Sequence, residues 1–148
     1  MAEVTIRRPL AGDETAWRAL WAGYIRFYRG SVSAEATAAL WAEILVERGK
    51  FEAFVAERAG ETIGFVHYLY HASTWSTQPI CYLQDLYVDP HARGGGAARA
   101  LMDAVFDAAK ADGAFRVYWQ TQEFNGAARS LYDTIVPRSS FIVYRKPL

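Results

Sequence analysis

The stretch Leu83-Gln84-Asp85-Leu86-Tyr87-Val88-Asp89-Pro90-His91-Ala92-Arg93-Gly94-Gly95-Gly96-Ala97-Ala98-Arg99 decides how this chain is read. Ile80 to Val88 is a mostly apolar run of strand length and predicts a central strand. Asp89-Pro90 breaks it. Three glycines follow, and then Leu101, Met102, Val105, Phe106 and Ala109 recur at helical spacing up to Gly113. A glycine loop at the start of a helix exposes backbone N–H groups. Those groups and the positive end of the helix dipole bind phosphate oxygens. The stretch therefore predicts a phosphorylated ligand held between a strand and a helix.

Upstream, Val4 to Arg7 is a short strand candidate, and Gly12-Asp13 precedes a helical pattern. Trp17, Leu20, Trp21, Tyr24 and Tyr28 form its aromatic stripe, which is mainly core, and Gly30 ends it. Ser33 caps a second helix read through Arg48, closed by Gly49. The period then changes. Phe51 to Arg58 and Thr62 to His71 read as strands around an Ala59-Gly60-Glu61 turn, and Ser73 to Pro79 as a polar loop. Downstream, Phe115 to Thr121 is a strand. Asn125 caps a short helix carrying Ala128, Leu131 and Tyr132, Pro137 terminates it, and Phe141 to Arg145 is a last strand. No internal repeat or linker interrupts this order, so residues 1–148 read as one α/β domain.

Composition narrows the function. Hydrophobic residues make up 52% of the 148 and aromatics 15%, which argues against disorder. Lys plus Arg equals Asp plus Glu at 16 each, so charge makes no case for nucleic acid or a membrane surface as partner, while a small charged substrate stays open. Cys81 is the one cysteine. No intrachain disulfide can form, and a reducing compartment, the cytoplasm, is expected. The first residues show no signal-peptide pattern, and no apolar run is long enough to span a bilayer.

Two familiar glycine loops do not fit. A Walker loop needs Lys-Ser or Lys-Thr after its last glycine. A dinucleotide fingerprint needs a small residue where counting from Gly94 and Gly96 gives Arg99, and an acidic residue further on that is missing here. A purely structural turn is the remaining rival. A third pattern fits: Arg93, Gly96 and Ala98 match Arg/Gln-x-x-Gly-x-Gly/Ala. With the strand before it, this resembles the coenzyme A loop of the GNAT family of N-acetyltransferases. Asn125-x-x-Ala128-x-x-Leu131-Tyr132 resembles that family's second motif. The resemblance covers nearly the whole chain. Val117-Tyr118-Trp119-Gln120-Thr121 and the short Phe141–Arg145 tail look most like the yeast histone- and polyamine-acetylating branch. Asp133 to Pro137 stands where many members have a Gly-Phe pair soon after the tyrosine.

The resemblance implies a mixed, mostly antiparallel α/β (α+β) sheet of about six strands with about four helices, splayed at the central strand. It implies acetyl-CoA as cosubstrate, no metal, and a primary amine acceptor: a polyamine, an amino acid or a protein lysine. The N–H groups of Arg93, Gly94, Gly95, Gly96, Ala97 and Ala98 would hold the pyrophosphate, with Arg93 and Arg99 adding charge or facing solvent. Leu86, Tyr87 and Val88 would pair by backbone with the pantetheine arm. Asn125 would contact the cofactor arm, serve as a plain N-cap, or both. Tyr132 aligns with the tyrosine that relatives place by the sulfur, where a phenol can donate to a thiolate; the rival is a half-buried core tyrosine. Tyr24, Phe27 and Tyr28 would border the acceptor site, because relatives lay the first two helices over it.

The chemistry also needs a carboxylate. A free alkyl amine has a pKa of about 10.4 and must lose a proton before it attacks a thioester. Asp85, a carboxylate within an apolar strand, is the candidate that binds or deprotonates the amine, through water; the rival is a structural ion pair. Glu123, just before Asn125, is a second acceptor-side carboxylate or a solvated loop charge. Gln84 stands where some relatives carry glutamate, and an amide can bind a substrate without acting as a base. It keeps open a non-catalytic acyl-CoA-binding module on the same fold. His67 and His71 share strand parity without a ligand cluster around them, so no metal is expected. Relatives often dimerise, and the aromatic content permits a homodimer.

Overall fold

A computed structural model describes residues 2–148. Five strands, β1 (Val4–Arg7), β2 (Glu52–Arg58), β3 (Glu61–Ser73), β4 (Ser76–Val88) and β5 (Arg116–Tyr118), form one sheet in the order β1-β2-β3-β4-β5. Neighbours are antiparallel except β4 and β5, which are parallel. The helices are α1 (Glu14–Phe27), α2 (Ala34–Ile44), α3 (Ala97–Ala111) and α4 (Gly126–Tyr132).

Strand alternation divides the interior into two layers. Ala53, Val55 and Phe65 point to one face, where Trp17, Leu20 and Trp21 of α1 and Trp41 and Ile44 of α2 cover them. Ala56, Val66, Tyr68, Cys81 and Leu83 point to the other, against Leu101, Met102 and Val105 of α3. The periodic stripes of α1 and α3 are therefore the two contact seams, and each large side chain fully buried there contributes about 1.5–3 kcal/mol. At the start of α1, Asp13 accepts two bonds from the Arg7 guanidinium, at 2.8 and 2.9 Å, and one from the Leu10 N–H at 2.7 Å. That Arg7 hydrogen bonding holds the Asp13 carboxyl below its ordinary pKa.

Several boundaries differ from the sequence reading. The helix read through Arg48 stops at Ile44, because the chain turns back and the Glu43 carboxylate accepts the Lys50 N–H at 2.7 Å. The expected loop from Ser73 to Pro79 is instead the end of a long β3–β4 hairpin, turning at Thr74-Trp75. Between the pairs His71↔Ile80 and Ser73↔Ser76, Thr77 to Pro79 lie opposite Ala72 alone. Such a bulge accommodates Pro79, which has no N–H to give a ladder. The strand read from Phe115 to Thr121 shortens to Arg116–Tyr118. The expected strand Phe141 to Arg145 is absent among the described residues, so the sheet has five strands rather than about six. Phe141 is 91% and Tyr144 88% exposed; a strand requires a neighbouring strand to bond with, and among the described residues this segment pairs with none.

Candidate active site

The site begins with one extra residue in β4. Tyr68 of β3 pairs with Leu83, but His67 pairs with Asp85, so Gln84 is an exposed bulge. A bulge shifts side-chain parity by one. Before it, Cys81 and Leu83 face α3; after it, Leu86 and Val88 do. Asp85 and Tyr87 therefore turn to the α1 face, beside His67 and Tyr24. Without the bulge, Asp85 would share the apolar face of Leu83.

The same region of β4 is open along one edge. β5 pairs only with Ile80, Cys81 and Tyr82. Past Tyr82 the two strands part, which is the splay expected from the sequence. Parallel pairing thus ends where Leu83 to Val88 begins, and those backbone groups have no β5 partner.

Three aromatic hydroxyls gather at this opening. Tyr24 stacks on Trp21 with centroids 5.6 Å apart, and its ring meets Tyr28 at 4.9 Å and Tyr87 at 6.0 Å. Burial raises the pKa of the Tyr24 phenol well above its ordinary value, and the Asp85 charge raises it further. Tyr132, at the end of α4, packs edge-on against Trp119 at 5.6 Å. Burial, with a smaller effect from Tyr28, pushes its pKa up to about 12. Both phenols therefore stay protonated at neutral pH and act as donors. The Tyr24 phenol lies near enough to Asp85, Tyr28 and Tyr132 to be affected by each, and Tyr132 is affected by Tyr28, so three elements distant in sequence converge here. Phe27 lies beside Tyr28 at 5.1 Å and is largely exposed.

The glycine loop lies just past Val88, at the same end of β4. Gly94 and Gly96 have φ of +87° and +83°, a region that favours glycine, and Gly96 is the residue from which α3 starts. No side chain among the described residues caps that helix start, so its first N–H groups are left without a capping partner. A Cβ built at Gly94 or Gly96 meets nothing within 4 Å, so the loop surface is open. This is a receptacle that fits a phosphate group. Gly95, Ala97 and Ala98 lie between and just after these turns, with Ala97 buried beneath the helix start. Arg93 Nε donates to the Val88 carbonyl at 3.0 Å, and its guanidinium lies 5.5 Å from the Tyr87 ring centre. Arg93 thus clasps the loop to the strand. Arg99 pairs with Asp103 at 3.0 Å on the surface of α3.

Other candidates fall in plainer settings. Asn125 is the N-cap of α4: its Oδ1 accepts from the Ala128 N–H at 3.4 Å, and its Nδ2 donates to Thr121 Oγ1 at 3.3 Å. Glu123 is exposed and pairs with Arg138 at 3.7 Å. Cys81 is fully buried, and burial pushes its thiol up to about 12, which suits a small core hydrophobe. Among the described residues no group of three or more His, Cys, Asp or Glu could hold a metal ion. None of the helices there is long and apolar enough to cross a membrane.

One residue escaped the sequence reading. His67, set aside as a metal ligand, is 1% exposed and lies 3.0 Å from Asp85 through its Nδ1, while its Nε2 lies 3.0 Å from Trp17 Nε1. No spacing rule joins positions 17, 67 and 85. The contact exists because the bulge turns Asp85 toward the face that His67 already occupies.

Comparison with known proteins identifies the family. The family model described as the acetyltransferase (GNAT) family matches residues 17–134. The D-amino-acid N-acetyltransferase HPA3 of Saccharomyces cerevisiae is 32% identical over 136 residues, covering 90% of this chain and 84% of that protein. The uncharacterized N-acetyltransferase YhfO of Bacillus subtilis is 35% identical over 130 residues, covering 88% of this chain and 87% of that protein. Among solved structures, the aminoglycoside N-acetyltransferase AAC(6')-Iy in complex with CoA has the same fold, with a TM-score of 0.82 at 22% identity over 100% of this chain and 97% of that one. The chain therefore belongs to the GNAT family of acetyltransferases and is an N-acetyltransferase.

Proposed function

We propose that this enzyme transfers the acetyl group of acetyl-CoA to a primary amine by direct attack on the thioester. The observation that carries this reading is the convergence of Asp85, Tyr24, Tyr28 and Tyr132 at the open edge of β4, next to the glycine loop. The family uses acetyl-CoA, and the loop fits its phosphates. Acetyl-CoA supplies the thioester: a C–N bond forms to the acetyl carbon as its C–S bond breaks.

In this reading, N–H groups from Arg93 to Ala98 hold the pyrophosphate, and the open backbone of Leu86, Tyr87 and Val88 receives the pantetheine arm. A nearby backbone N–H polarises the carbonyl where charge develops. Asp85 attracts the ammonium and takes its proton, directly or through water. Tyr132 gives a proton to the departing thiolate and is reprotonated, through solvent, by the second proton that the nitrogen loses as the amide forms. Tyr24, Phe27 and Tyr28 line the acceptor side, where aromatic faces suit a cation. Gln84, exposed beside Asp85, offers an amide to the acceptor, and Asn125 positions α4 next to the arm. No metal takes part.

The acceptors are small amines first, in keeping with the relative named for D-amino acids, with polyamines and protein lysines as the other classes. We place the enzyme in the cytoplasm on its free buried thiol, and as a homodimer through its exposed apolar segment. Thiol release from acetyl-CoA across a panel of D- and L-amino acids, polyamines and lysine peptides tests the reading. Asp85→Asn is expected to lower kcat/KM for the best amine about 100-fold or more, within the usual range for an acid–base residue. No thiol release with any amine would overturn it.

A further inference from the structure

His67, 1% exposed, lies directly behind Asp85. The Trp17 indole N–H can only donate, so His67 Nε2, 3.0 Å away, must accept and carries no proton. The ring's single proton is then on Nδ1, where it donates to Asp85 Oδ2 at 3.0 Å. Trp17 is 0% exposed, and its ring cannot rotate away without emptying the α1 seam. The imidazole is wedged between Phe65, with centroids at 4.5 Å, and Trp21 at 5.3 Å. The direction of the chain, Trp17 to His67 to Asp85, is therefore fixed by an indole that has no other hydrogen-bonding role to play.

We propose that His67, held by Trp17 as the neutral Nδ1–H tautomer, is the positioning residue for Asp85: it occupies Oδ2 and turns the other oxygen toward the Tyr24 hydroxyl and the amine. This rests on the reading of Asp85 as the acceptor-facing carboxylate. His67 does not itself take the amine's proton, because its only unprotonated nitrogen already accepts from Trp17. In the step, an ammonium N–H bond breaks and an O–H bond forms at Asp85 Oδ1, while His67 keeps its proton. The side chain of Asp85 is 15% exposed against 1% for His67, so the carboxyl passes that proton to solvent from the open side. The other titratable groups near the pair are Tyr24 from α1 and Tyr82 on β4, phenols that burial, chiefly, and the Asp85 charge both hold protonated. β2 presents only Ala53 opposite His67. No charged group on these elements competes with Asp85 for the imidazole.

The tautomer is read directly by side-chain 1H–15N NMR of the wild-type enzyme, with His67 assigned by its loss in His67→Asn. A proton on Nδ1 alone is expected; a proton on Nε2 overturns the proposal. Kinetics test the positioning. His67→Phe keeps a ring but loses the donor, and acceptor kcat/KM should fall about 10- to 100-fold, the effect of one hydrogen bond to a charged group. The KM for acetyl-CoA should hold. His67→Asn restores an N–H near the Nδ1 position and should recover much of the loss; equal losses in the two variants overturn the proposal. Trp17→Phe removes the donor that fixes the tautomer, so an Nε2–H population should appear beside the Nδ1–H form in the same spectrum; an Nδ1–H signal unchanged in a folded variant overturns the lock. Asp85→Asn is the control. If it turns over amines normally, the reading of Asp85 falls and this proposal with it. If it is impaired while His67→Phe is not, only the positioning role falls.

Discussion

At the scale of single residues, the chemistry depends on which groups stay protonated in a dry setting. Burial raises Tyr132 to about 12. Its donating form is therefore complete below that value and is lost only as pH rises through it. Tyr132→Phe should lower kcat about 100-fold, the low end of general-acid effects, with little change in acetyl-CoA affinity by calorimetry. The wild-type rate should show no falling limb from this group up to about pH 10, where a free tyrosine would already be half ionised. Unchanged turnover in Tyr132→Phe would remove the acid role, and a limb near pH 10 that vanishes in the variant would contradict the effect of burial. Asn125, by contrast, spends both ends of its amide inside its own turn, so its contribution runs through the placement of α4.

At the scale of elements, what could be read in the sequence was what local chemistry dictates. Ala59 and Gly60 adopt φ of +51° and +80°, the pair of positive values that a tight hairpin turn requires, and Gly-containing punctuation announces it. The aromatic stripe of α1 and the glycine loop before α3 are equally local, because helical period and left-handed φ are set by neighbouring residues. The bulge at Gln84 is not local. Nothing in Leu83-Gln84-Asp85 says that two residues of β4 will oppose one step of β3, so neither the facing of Asp85 nor its pairing with His67 was visible. The β3–β4 hairpin likewise runs through a Ser, Thr and Pro segment that composition marks as loop, because pairing with β3 overrides local preference. The glycine loop makes a prediction of its own. Gly96→Ala adds a methyl that meets nothing, so its cost is the backbone alone, roughly 1–2 kcal/mol for a left-handed residue. Acetyl-CoA affinity should therefore weaken about 5- to 30-fold as the loop relaxes, while kcat at saturation changes little. Calorimetry with CoA checks this, and an unchanged affinity would mean that the left-handed turn does not shape the phosphate site.

At the scale of the whole molecule, the segment Phe141-Ile142-Val143-Tyr144-Arg145 is the outstanding conflict between sequence and chain. It carries strand-forming side chains without a strand, and its four apolar residues are all exposed, Ile142 at 73% and Val143 at 61%. A contiguous exposed apolar patch of this kind marks an interaction surface. A short edge strand, β5, has a ladder on one side only, toward β4. Backbone pairing plus apolar burial is what such a segment lacks, and a second copy of the same chain supplies both at once. The homodimer proposed above therefore makes a direct prediction. Light scattering coupled to size exclusion should give a dimer at micromolar concentration, and Ile142→Lys with Tyr144→Lys should shift it toward monomer, since a charge in a desolvated apolar contact is costly. Because these residues belong to neither of the two cores, the thermal midpoint of the isolated chain should barely move, whereas the concentration dependence of the wild-type midpoint should disappear. A wild-type protein that stays monomeric up to about 100 µM, well above micromolar dissociation constants, would rule the dimer out and leave the segment as a surface for some other apolar partner.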